Sequence, residues 1–143
     1  MYRLFQKTFE LIFSAKFIKF CLTGGIGTIT NVVLFFLLVD YLDFNDIFSN
    51  ITCFLIAVTQ NYVINEKWTF NDNVISENRI SIKRWGNFVI ASFVGYLFNI
   101  TTYVFLNIIH SFQYKTFPLI IGILVGLIFN YLLSAKIIFR LKE

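Results

Sequence analysis

The stretch FCLTGGIGTITNVVLFFLLV, residues 20–39, decides the fold, because it contains no Asp, Glu, Lys or Arg. At about 1.5 Å rise per residue, a helix of roughly 20 residues covers a hydrocarbon core about 30 Å thick. Val32-Val33-Leu34-Phe35-Phe36-Leu37-Leu38 does not alternate, whereas a membrane-barrel strand alternates apolar and polar residues over about ten positions. A helix is the reading. Three more charge-free windows follow, Ile47–Asn65, Trp85–Ile109 and Thr116–Ala135. The whole chain is 57% hydrophobic and 14% charged, with mean hydropathy +0.73, which excludes an ordinary soluble domain. We expect an all-α membrane protein of four transmembrane helices, about 20–39, 47–65, 85–109 and 116–135, with a loop at 66–84. The first span lacks a following small-residue cleavage site and is expected to be retained.

Charge sets the expected orientation. Arg3, Lys7, Lys16 and Lys19 precede the first span, Lys67, Arg79, Lys83 and Arg84 fill the middle loop, and Lys136, Arg140 and Lys142 follow the last. Eleven of the twelve bases thus share one side, leaving Lys115 on the other with the Asp40, Asp43 and Asp46 loop. The positive-inside rule places both termini and the middle loop in the cytoplasm. The net charge of +4 then reflects topology and anionic headgroups, and nucleic acid is not an expected partner. Residues 1–16 carry Leu4, Phe5, Phe9, Ile12 and Phe13 at helical spacing. They read as a short interfacial helix, or as a basic tail that only sets orientation, ahead of a single transmembrane domain at 17–143.

The spans repeat. A shift of 68 residues pairs Lys16 with Arg84, Phe17 with Trp85, Phe20 with Phe88, Gly27 with Gly95 and Asn31 with Asn99. A shift of 69 pairs Ala57 with Gly126, Asn61-Tyr62 with Asn130-Tyr131, Asn65 with Ser134, Lys67 with Lys136 and Phe70 with Phe139. Two parallel-repeat helical hairpins are expected, an arrangement that transporters use and that also merely builds bundles.

Within the spans, small and polar residues fall at i, i+3/i+4 and i+7. They are Gly24, Thr28 and Asn31; Asn50, Cys53, Ala57, Gln60, Asn61 and Asn65; Ser92, Gly95, Asn99 and Thr102; Gly122, Gly126 and Asn130. Such faces either join helices, through close glycine contact and amide hydrogen bonds, or line a path for a polar, uncharged group such as a sugar. At the basic ends, Lys67 and Lys136 occupy matching positions and are candidates to bracket a phosphate, with Lys16 or Lys19 and Arg84 beside them.

Several functions lack residues to carry them. No acid lies inside the four windows, so a proton-coupled antiporter built on an embedded carboxylate has no coupling group. His110 falls at the outer end of the third span. Asp40, Asp43 and Asp46 read as solvated loop charge rather than a cation site. Cys21 and Cys53 have no metal-ligand or redox spacing. No nucleophile set, phosphate loop or carboxylate pair is present, so no enzyme activity, cofactor or metal is expected.

Lys19-Phe20, Gly24-Gly25-x-Gly27-Thr28 and Asn31, followed by Asn61-Tyr62-x-x-Asn65-x-Lys67-Trp68-Thr69-Phe70, resemble the GtrA-like family from about Lys16 to Arg140. The element running from Asn61 to Phe70 is the most specific part. Asn130, Lys136 and Phe139 echo it in the second half, while Glu66 stands where the family commonly has a base and Ser134 replaces a second Asn. The resemblance implies a multi-pass protein of the bacterial inner membrane serving cell-surface polysaccharide or teichoic acid glycosylation. Its implied partners are membrane lipids and a polyprenyl-phosphate-linked sugar, which it translocates in flippase fashion or as an accessory subunit. The alternative is a non-transporting scaffold for a membrane glycosyltransferase. A homodimer is left open, and a pore has no charged ring to select ions.

Overall fold

The computed structural model describes residues 14–73, 80–110 and 116–139. Among the described residues there is no strand, and four helices are long and apolar enough to cross a membrane. The chain divides into two compact units, Met1–Ser81 and Ile82–Glu143, and each holds one helical hairpin. In the first, α1 spans Ala15–Phe35 and continues as a π-helical stretch over Phe36–Tyr41; α2 spans Asp46–Ile64 and ends in a π turn over Asn65–Thr69. A 3-10 turn over Asn71–Asn73 follows. In the second, α3 spans Ile82–Ile109, and α4 spans Thr116–Leu133 and ends in a π turn over Ser134–Ile138.

Local chemistry fixes the helix starts. Ser14 Oγ accepts from the Phe17 amide at 3.2 Å, and Asn45 Oδ1 accepts from the amides of Ile47 and Phe48 at 3.1 and 3.2 Å, so capping side chains satisfy donors that would otherwise be orphaned. Between α1 and α2 the chain reverses through Asp43, at φ 53°, a left-handed conformation that a short polar side chain tolerates better than most.

The helices outrun the charge-free windows. Lys16, Lys83 and Arg84 lie on helices, α2 carries Glu66 and Lys67 on its last turn, and the middle connection shrinks from 66–84 to 70–81. Long basic side chains at a helix end reach the interface without interrupting the helix, so a charge does not mark its boundary. The expectation of acid-free spans fails at two residues, Asp40, exposed on the π-helical end of the first spanning helix, and Glu66, buried at 2% exposure on the terminal turn of the second. The proposed interfacial segment lies outside the described residues apart from its last three, of which Ala15 and Lys16 already belong to α1. Arg3, Lys7, Arg79, Lys115, Arg140 and Lys142 also lie outside them.

The inward face of α1 is Phe20, Thr23 and Gly27, one residue off the expected Gly24, Thr28 and Asn31. Thr28 is exposed and donates to the Gly24 carbonyl at 3.0 Å. A hydroxyl satisfied by its own helix needs no partner across an interface. On α2, Asn50 is likewise exposed and Ser49 is buried.

Glycine governs the second hairpin. A Cβ on Gly95 would lie 2.8 Å from the Gly126 carbonyl oxygen, and one on Gly122 would lie 2.6 Å from that of Asn99. Helices gain no hydrophobic drive to associate in lipid, so close backbone approach supplies much of the attraction. The first hairpin has Cys53 and Ala57 where the second has Gly122 and Gly126, and its helices touch over less of their length.

Gly95→Ala is expected to destabilise the protein by about 1–3 kcal/mol through overpacking. Gly86→Ala, where a Cβ meets nothing within 4 Å, should not destabilise it. Thermal unfolding in detergent measures both.

Candidate functional site

Both hairpins finish with the same backbone device. The Phe70 amide donates to the Asn65 carbonyl, and the Phe139 amide to that of Ser134, each at 2.8 Å and each spanning five residues. A π turn accommodates one residue more than an α turn and re-aims the side chains around it. Asn65, Glu66 and Thr69 turn inward and Lys67 and Trp68 outward. In the second hairpin Ser134, Ala135 and Ile138 turn inward and Lys136 and Ile137 outward. Phe70 then meets Phe20 edge to face at 6.4 Å and 65°, and Phe139 meets Phe88 at 6.4 Å and 66°, a favoured aromatic geometry.

The basic end of the first hairpin gathers polar groups around this lock. Lys19 Nζ stands 5.5 Å from the centroid of Trp68, whose side is 43% exposed, within the range of a cation–π contact. Lys16 Nζ approaches Asp72 Oδ2 at 3.9 Å. Inside, Thr69 Oγ1 donates to Asn65 Oδ1 at 2.7 Å, with both residues buried. The Tyr62 hydroxyl donates to the Ser81 carbonyl and accepts from the Ser81 amide, at 3.2 and 3.1 Å, tying residue 81 back to α2.

The second hairpin differs at two matching positions. Asn87 stands for Lys19 and Ile137 for Trp68. There, an apolar groove of about 270 Å³ is lined by Asn87, Ile90, Ala91, Val94, Leu133, Ile137 and Ile138. Deeper along the hairpin, Asn130 Nδ2 donates to Ser92 Oγ and accepts at Oδ1 from Ser134 Oγ, each at 3.5 Å.

The residues singled out from sequence therefore have distinct surroundings. Lys19 meets Trp68, Asn65 meets Thr69, Phe70 meets Phe20, Asn130 meets two serines, and Asn99 packs against Gly122 and Gly126. Lys67 and Lys136 are exposed, one in each unit, while Arg84, Gln60 and Asn31 are half-buried. Asn61 lies with its carboxamide against Gly27, and its Oδ1 is buried without a hydrogen-bond partner. Glu66 was missed as an interior residue. The signal for it was helical spacing, since it lies one turn beyond the buried Tyr62.

The family model for the GtrA/DPMS transmembrane domain matches residues 19–139, from the lysine over Trp68 to the phenylalanine that closes the second π turn. No curated protein matches the chain.

Thr69→Val should leave the buried Asn65 Oδ1 without its donor and lower stability by about 1–3 kcal/mol. Thr52→Val, which removes an exposed hydroxyl bonded to the Phe48 carbonyl, should change little. Denaturant unfolding in detergent compares the two.

Proposed function

The chain belongs to the GtrA/DPMS transmembrane-domain family, multi-pass membrane proteins concerned with glycosylation and lipid-linked sugars, and from that membership we propose that it translocates a polyprenyl-phosphate-linked sugar. In this reading both termini face the cytoplasm of a bacterial cell, and the sugar serves cell-surface polysaccharide or teichoic acid glycosylation. The observation that carries the proposal is the Lys19 ammonium held over the exposed face of Trp68. An indole at the membrane interface offers an apolar plane for the face of a sugar ring, and an ammonium beside it offers a charge to a phosphate. Lys67, exposed next to Trp68 on the same turn, adds a second cation. The prenyl chain stays in lipid along the apolar outer surfaces. The first hairpin thus provides the headgroup site, and the second has Ile137 at the position matching Trp68. The protein acts as a carrier and not as an enzyme.

A second reading is a scaffold that holds a membrane glycosyltransferase. The packing of Gly95, Gly122, Gly126 and Asn99 favours it, because those residues are occupied in joining helices.

Full-length protein in liposomes separates the readings. Labelled polyprenyl-phosphate sugar should cross faster than in protein-free vesicles, and Lys19→Ala should slow crossing about tenfold, the loss of one charge-assisted contact. Lys136→Ala should have a smaller effect. Crossing no faster than in empty vesicles would reject transport in favour of the scaffold.

A further inference from the structure

The two hairpins carry the same asparagine in different states. Asn130 has both sides of its carboxamide engaged, donating to Ser92 and accepting from Ser134. Asn61 occupies the matching position and has its Oδ1 buried with no partner. The sequence explains the difference. Gly24 stands where the second hairpin has Ser92, so no hydroxyl is offered from α1. Asn65 stands where it has Ser134, so the hydroxyl that donates to the Asn130 Oδ1 is absent from the first hairpin.

Two threonine hydroxyls of α1 are committed to their own helix. Thr23 donates to the Lys19 carbonyl at 2.9 Å and Thr28 to the Gly24 carbonyl at 3.0 Å. Space accompanies the missing partner, because no heavy atom lies within 4 Å of a Cβ built on Gly24. The carboxamides also rest differently. A Cβ on Gly27 would meet the Asn61 carboxamide itself, whereas for one on Gly95 the nearest atom of Asn130 is its Cβ. Asn61 is therefore folded over Gly27, while Asn130 turns to its serines.

We propose that Asn61 and the opening at Gly24 form a subsite for a hydroxyl of the bound ligand, which lies in the space at Gly24 and donates its proton to Asn61 Oδ1. Binding turns the Asn61 carboxamide away from Gly27 so that its Oδ1 accepts from that hydroxyl, whereas Asn130 presents its Nδ2 to Ser92. A buried acceptor without a donor is costly, and a site built to pair a hydroxyl discriminates strongly against a ligand that lacks it. The chemical class is a saccharide hydroxyl rather than a phosphate, since a carboxamide oxygen accepts only from a donor. This subsite rests on the lipid-linked-sugar reading and adds to it the recognition of the sugar as distinct from the lipid phosphate.

The test compares binding of polyprenyl phosphate with and without a monosaccharide to the full chain in lipid nanodiscs. Wild type should prefer the sugar-bearing lipid about tenfold. Gly24→Ser, which supplies the hydroxyl from within, should abolish that preference, retain affinity for the sugarless lipid and raise the unfolding temperature. Asn61→Ala should also abolish the preference, and it decides the matter if the serine variant does not fold. Preference retained in the folded variants would overturn the subsite and leave a water as the partner of Asn61. Binding of neither lipid by wild type would overturn the lipid-linked-sugar reading and the subsite together.

Discussion

The amides of Phe70 and Phe139 each reach back five residues, and much of the geometry at the basic ends follows from those two bonds. A spanning helix has to satisfy its backbone polar groups within itself. The π turn does so while giving the last turn one more residue than an α turn would hold. That extra residue allows Asn65, Glu66 and Thr69 to face inward while Lys67 and Trp68 face out. It also delivers Phe70 to Phe20 and Phe139 to Phe88 at nearly identical distance and angle. Two segments separated by 69 residues thus reproduce one bond, one burial pattern and one aromatic contact. Duplication of a hairpin accounts for all three, because independent helices have no reason to agree in such detail.

With the frame held constant, the differences between copies become informative. The second hairpin places Gly95, Gly122 and Gly126 along one seam and engages the Asn130 amide with Ser92 and Ser134. The first has Cys53 and Ala57 in that seam, an unpartnered Asn61 oxygen and open space at Gly24. The rim differs in the same sense. Lys19 and Trp68 meet in the first hairpin, where the second has Asn87, Ile137 and an apolar groove. Polar capacity has been kept in one copy and close packing in the other.

The four spans were legible because uninterrupted apolar length has few other meanings, and the repeat was legible because polar and basic residues recur at a nearly constant offset. Helix ends were not legible from charge, since Lys16, Lys83 and Arg84 ride on helices whose side chains reach the interface. The inward stripe of α1 was misplaced by one residue because Thr23 and Thr28 look alike in sequence. Both bond back to their own helix, so only packing decides which is buried. The burial of Glu66 was not legible because its charge ended the apolar window, although Tyr62, Asn65, Glu66 and Thr69 form a helical face. The Lys19–Trp68 contact joins different helices, so its two residues could be named from the family motif while their meeting could not.

Where the first hairpin is held bears on where it can admit a ligand. Its fixed contacts cluster at the basic end: Phe20 with Phe70, Asn65 with Thr69, Lys16 with Asp72 and Lys19 with Trp68. Beyond them the seam holds Gly27 against Asn61 together with the buried Cys53 and Ala57, and neither Gly24 nor Gly25 has a neighbour within 4 Å of its Cβ position. Lipid offers helices no hydrophobic reason to close such a gap. A hairpin pinned at one end and thinly packed next to the pin can take a small polar group between its helices without breaking the contacts that hold it together. The glycine seam of the second hairpin cannot, because Gly95 and Gly126 already lie too close for even a methyl group.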